Sequence, residues 1–137
     1  MITIIISTLA WILSAILDAY VQGYYYALYP SDKGHKNLHP YFVAIRAILL
    51  SMILWNNYFT LDNTLLTIFG LCLCMTYSFF HNGVYYWIRH KLDNKVYPKG
   101  FWDSSVTSEA TFEIGTGMRT GLAIVGLVGI YLIIISI

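Results

Sequence analysis

Apolar residues in this chain neither alternate nor recur only every third or fourth position; they run on in four long blocks separated by polar stretches. A helix needs about 20 predominantly apolar residues to cross roughly 30 Å of hydrocarbon at about 1.5 Å per residue. The first block covers residues 2–28, contains one charged residue, Asp18, and is closed by Pro30, which cannot continue a helix. The second, 41–58, follows Pro40, a residue suited to a first helical turn. The third, 64–89, has Asn63 or Thr64 available as a cap, and the fourth is 118–137. Lipid offers no partner for backbone N–H and C=O groups, so open elements within it are helices. The pattern therefore predicts an all-α polytopic membrane protein, a single four-helix domain over residues 1–137. Its long loops are 29–40 and 90–117.

The first block does not read as a secretory signal. It has no Lys or Arg at its start, and its apolar run continues into Tyr-rich sequence. In the third loop, Asp103-Ser104-Ser105 is a helix-start signal ahead of residues 106–114, and Gly115 and Gly117 then break the pattern. This predicts a short interfacial helix anchored by Phe101 and Trp102.

Composition excludes more than it selects. With 58% hydrophobic and only 11% charged residues, and mean hydropathy +0.62, the chain has less than half the roughly one-quarter charged content of soluble domains. Water-soluble folds, nucleic-acid binders and disordered tails are excluded. All eight basic residues (Lys33, Lys36, Arg46, Arg89, Lys91, Lys95, Lys99 and Arg119) lie in the two long loops or in helix ends adjoining them. Positive loops stay on the cytoplasmic side. Both termini are accordingly expected outside, in an inner (cytoplasmic) membrane or a viral membrane.

Of the 12 tyrosines, most cluster at the ends next to those loops, as an interfacial belt would. Gln22-Gly23-Tyr24-Tyr25-Tyr26 and Asn82-Gly83-Val84-Tyr85-Tyr86 are loosely alike, as the halves of a parallel repeat would be. Cys72 and Cys74, two residues apart on a helix, point about 200° apart and suit neither a disulfide nor a shared metal. Gly117-x-x-x-Gly121, with Gly126 and Gly129, gives the fourth helix a small face for packing within the chain or between chains.

Ionisable groups inside a membrane are costly unless paired or hydrated, which makes each a functional candidate. Asp18 and Gln22 share a helix face; Arg46 lies about two turns into the second helix; His81, Tyr85 and Arg89 form an i, i+4, i+8 stripe; Arg119 opens the fourth. These residues are expected at one level, with Asp18 and Arg46 as an intramembrane pair. As metal donors, His39, His81, His90 and Glu109 are available, without an H-E-x-x-H spacing. The outer parts of the helices are almost wholly apolar, so no continuous pore is expected through one chain.

Two functional readings follow. In the first, the cytoplasm-facing cluster binds an anionic lipid headgroup or similar ligand, since guanidinium forks match phosphate. In the second, the chain is a structural or accessory subunit of a larger membrane assembly, as a homo-oligomer or with other membrane subunits. The residues support a site better than a reaction, and they name no cofactor.

Overall fold

The computed structural model describes residues 1–29, 38–95 and 115–137, except the side chain of His39, and among them it is all-helical. The helices are α1 (Ile2–Leu28), α2 (His39–Asn57), α3 (Asn63–Leu92) and α4 (Thr116–Ser136). Three of them, α1, α3 and α4, are long and apolar enough to cross a membrane. The 19-residue α2, which carries Arg46 and closes on Asn56 and Asn57, is not among the three. The expected interfacial helix, with Phe101 and Trp102, lies outside the described residues, as does Glu109.

The ends of the helices differ from expectation for local reasons. Neither Asn63 nor Thr64 caps α3; Asp62 does, its side chain accepting from the Leu65 N–H at 2.9 Å. That helix continues three residues past position 89, placing Arg89, His90 and Lys91 in the last turn, where cations complement the helix dipole. Helix α4 begins at Thr116, two residues before the expected position 118, with Gly115 as its N-cap, so Gly117 lies inside it.

Helix α3 sits at the centre. It runs parallel to α1: the Trp11 indole N–H donates to the Leu73 carbonyl at 2.7 Å, and further along Gly23 lies against Tyr85 and Ile88. Helix α4 packs antiparallel on the other side, with Gly126 and Gly129 against Cys72. Helix α2 is antiparallel to α1 and touches both α1 and α3. Asn57 near its end donates to Ser7 at 2.8 Å, and Arg46 near its start pairs with Asp18. Ser7 to Asp18 and Arg46 to Asn57 are each eleven residues (18 − 7 and 57 − 46), about three turns. Two polar clamps in matching register thus hold α2.

The two halves of the bundle differ in chemistry. Ile4, Trp11, Ile53, Leu61, Phe69, Leu73, Ile130 and Ile133 form an apolar core in the half that holds the N-terminus, the α2–α3 turn and the C-terminus. Asp18, Arg46, His81 and Arg119 lie in the other half. Outward faces are apolar on every helix, as at Leu9, Leu13, Leu17, Ile48, Met52, Ile124, Val128 and Leu132, the inverse of a soluble fold. Hydroxyls of Thr8, Ser14, Ser51, Thr67, Thr76, Thr120 and Ser136 bond back to carbonyls of their own helices, which supplies in lipid the acceptor water would otherwise provide. Tyr20, Tyr24 and Trp87 group near one end and Trp55, Tyr58 and Phe59 near the other, as interfacial rings do.

The glycines of α4 divide into two pairs. A Cβ on Gly126 would stand 2.6 Å from the Cys72 carbonyl oxygen, and one on Gly129 2.5 Å from Cys72 Sγ; Gly117 and Gly121 have no neighbour within 4 Å among the described residues. The inner pair therefore sets the α3–α4 approach within the chain. Gly126→Val is expected to destabilise the bundle by about 1–3 kcal/mol through overpacking, and Gly121→Val by far less. Denaturation of both variants in detergent, followed by circular dichroism, checks the difference.

Candidate functional site

The polar half is organised by one carboxylate. Asp18 of α1 accepts from Gln22 Nε2 one turn on (2.8 Å), from Arg46 Nε of α2 (2.6 Å) and from the Tyr77 hydroxyl of α3. Spacing explains the first bond, since i and i+4 share a helix face. The other two require three helices to meet at one depth. Arg46 also lies over the Tyr77 ring, 4.9 Å from its centroid, a cation–π contact that holds the guanidinium against α3.

From Arg46 the network continues into α3. Its Nη2 is 3.2 Å from Nε2 of His81, which is itself 3.7 Å from the Asp18 carboxylate. Tyr77, His81 and Tyr85 succeed one another at i, i+4 and i+8 as a stack, with centroid separations of 5.3 and 6.2 Å and nearly parallel rings. His81 is buried. Its Nδ1 is 2.9 Å from the Asn82 side chain. With its amide turned so that the oxygen faces α4, Asn82 accepts from both terminal nitrogens of Arg119 at 3.1 and 3.3 Å. Arg119 is only 6% exposed.

Six of the seven residues singled out from the sequence are joined in this way. Asp18, Gln22, Arg46 and His81 meet through hydrogen bonds, Tyr85 through ring stacking, and Arg119 through Asn82. Arg89 is buried two turns beyond His81 on the same helix. Tyr77, which binds both Asp18 and Arg46, was not among the seven, although the His81–Tyr85–Arg89 stripe extended back one turn arrives at it. Asn82 also stood outside the set; adjacency to His81 was its only signal, and its link to Arg119 has no counterpart in sequence spacing. In the apolar half the same holds for Asn57, fully buried against Ser7.

Metal chemistry gains no geometry. Among the described residues no three His, Cys, Asp or Glu side chains converge on one point. The His81 ring nitrogens face Arg46 and Asn82. Cys72 is buried against α4 and Cys74 faces outward.

The cluster instead collects donors. Among the described residues of the network, Arg46 and Arg119 contribute two permanent cations and Asp18 one anion. Arg46 is engaged by Asp18, His81 and the Tyr77 ring, and Arg119 by the Asn82 amide. Compared with protein-family profiles, curated proteins and solved structures, the chain matches none.

Removing one partner of a poorly hydrated ion pair leaves the other charge stranded, so the two single changes together cost more than the double one. Asp18→Ala and Arg46→Ala are each expected to destabilise the bundle by roughly 2–4 kcal/mol, near the low end for buried pairs because both groups keep some exposure. The double variant is expected to lose less than the sum. A double-mutant cycle of unfolding in detergent measures this, and strict additivity would show that the pair contributes no coupling.

Proposed function

We propose that this chain is a small integral membrane protein with four spans, whose polar cluster opens toward the cytoplasm and binds an anionic lipid headgroup or a ligand of like charge. The observation that carries the reading is Arg119. Arg46 has its charge matched by Asp18, whereas Arg119, equally permanent in charge and largely buried, has among the described residues a neutral amide as its acceptor. A cation so placed is stabilised by an anion more than by a carbonyl dipole. Among the described residues, no atom beyond the adjoining chain lies within 4 Å of a Cβ placed on Gly115 or Gly117, which favours room for a phosphate or carboxylate beside the first turn of α4.

Two observations support α2 as the fourth span. Clamps at Ser7–Asn57 and Asp18–Arg46 keep it alongside α1 for about three turns, and its Ile45, Ile48 and Met52 face outward. The cytoplasmic orientation rests on the eight-to-none partition of basic residues. In a Cys72→Ser/Cys74→Ser background, Lys33→Cys is expected to react with a membrane-impermeant maleimide only from the cytoplasmic side and Thr60→Cys only from the opposite side. Labelling of both from one side would remove α2 as a span.

A second reading, an accessory subunit of a membrane assembly, is favoured by the open Gly117 and Gly121, one turn apart on an outward face. Native mass spectrometry from mild detergent, with metal analysis of the same sample, separates the two. Under the first reading an anionic lipid or anion is retained, and Arg119→Gln lowers its occupancy at least tenfold while Gly121→Leu does not. A bare chain that co-purifies with other membrane proteins, and is released from them by Gly121→Leu, decides for the second.

A further inference from the structure

Asn82 lies between two groups that make opposite demands on it. A neutral imidazole has one N–H and one acceptor nitrogen, whereas a guanidinium can only donate. Arg46 Nη2 faces His81 Nε2 at 3.2 Å, and Asn82 faces Nδ1 at 2.9 Å. With its oxygen toward the ring, Asn82 accepts the Nδ1 proton, Nε2 is free to accept from Arg46, and the amide NH2 confronts Arg119. With the amide rotated, its oxygen takes both Arg119 N–H groups and its NH2 donates to Nδ1. The ring proton must then sit on Nε2, where it opposes Arg46 and turns toward the Asp18 carboxylate 3.7 Å away. Each orientation therefore leaves one donor facing another, at opposite ends of the same three-residue chain.

We propose that Asn82 is a positioning residue that relays the state of Arg119 to His81: the rotation of its amide fixes which ring nitrogen carries the proton, and with it whether His81 accepts from Arg46. Without a ligand the rotated form is favoured. It gives buried Arg119 two bonds, while Arg46 keeps Asp18 through Nε at 2.6 Å. An anion that takes the Arg119 fork removes this preference. Asn82 then turns its oxygen to Nδ1, and His81 accepts from Arg46, so that occupancy beside α4 strengthens the bond between α2 and α3. What moves Arg119 rests on the anion-site reading; the coupling of Arg119 to His81 does not.

The test is nitrogen-15 NMR of histidine-labelled protein in nanodiscs of phosphatidylcholine, with the His81 signals assigned by their loss in His81→Gln. The ligand-free wild type is expected to carry the proton on Nε2, and saturating inorganic phosphate to move it to Nδ1. Phosphatidic acid in the nanodisc produces the same move without added phosphate if a lipid headgroup is the natural occupant; free phosphate acts alone if it is not. Arg119→Met, which removes the donors holding the Asn82 oxygen, places the proton on Nδ1 with no anion present. Asn82→Asp, whose carboxylate accepts from both neighbours, keeps it on Nδ1 under every condition, provided that helicity and the His90 signals are unchanged. A proton that stays on Nε2 in both variants overturns the relay. Anion binding detected by phosphorus NMR without a change at His81 also overturns it while sparing the anion site. Absence of binding overturns the anion site, and the two variants still decide the relay.

Discussion

One carboxylate largely withdrawn from water constrains the rest of this molecule. Asp18 needs donors within reach at its own depth, and α1 supplies only Gln22. The remaining donors, Arg46 and Tyr77, come from α2 and α3, so satisfying the carboxylate fixes the depth and rotation of two further helices. Apolar packing in lipid is a weak guide to which helix neighbours which, because a lipid tail is as good a contact for leucine as another leucine is. A polar group is more demanding, since its alternative is an unsatisfied donor or acceptor in hydrocarbon.

The consequence is a division of labour between the two halves. In the half with the N-terminus, close packing around Phe69 and Leu73 and the approach of Gly126 and Gly129 to Cys72 hold α1, α3 and α4 together. In the other half, hydrogen bonds and ring stacking do so. Helix α2 belongs fully to neither: Asn57 clamps it in the apolar half and Arg46 in the polar half. It is therefore the helix whose position is most sensitive to the charge state and hydrogen-bond demands of the cluster, and Arg46 is its point of contact.

Much of this was legible in the sequence, where the physics is one-dimensional. The lengths of the apolar blocks reflect the thickness of hydrocarbon, and the clustering of Asp18, Arg46, His81 and Arg119 near the basic loops reflects the cost of placing charge deep in lipid. Helical spacing was enough for Asp18 with Gln22 and for His81 with Tyr85. It was silent on Tyr77 with Asp18, Asn57 with Ser7 and Asn82 with Arg119, because each joins residues far apart in the chain.

By itself, then, the sequence determined that the chain is helical and apolar enough to cross a membrane, and it set Asp18, Arg46, His81 and Arg119 toward the ends of their helices that adjoin the basic loops. Backbone satisfaction and charge desolvation decide those properties residue by residue along a helix. Tertiary structure decided which groups meet. It turned Gly126 and Gly129 inward while leaving Gly117 and Gly121 open, seated α2 against α1 in an eleven-residue register, and placed Asn82 between His81 and Arg119. Those outcomes depend on how helices rotate against one another, which is set by the shapes and hydrogen-bond demands of several helices at once and has no period in any one of them.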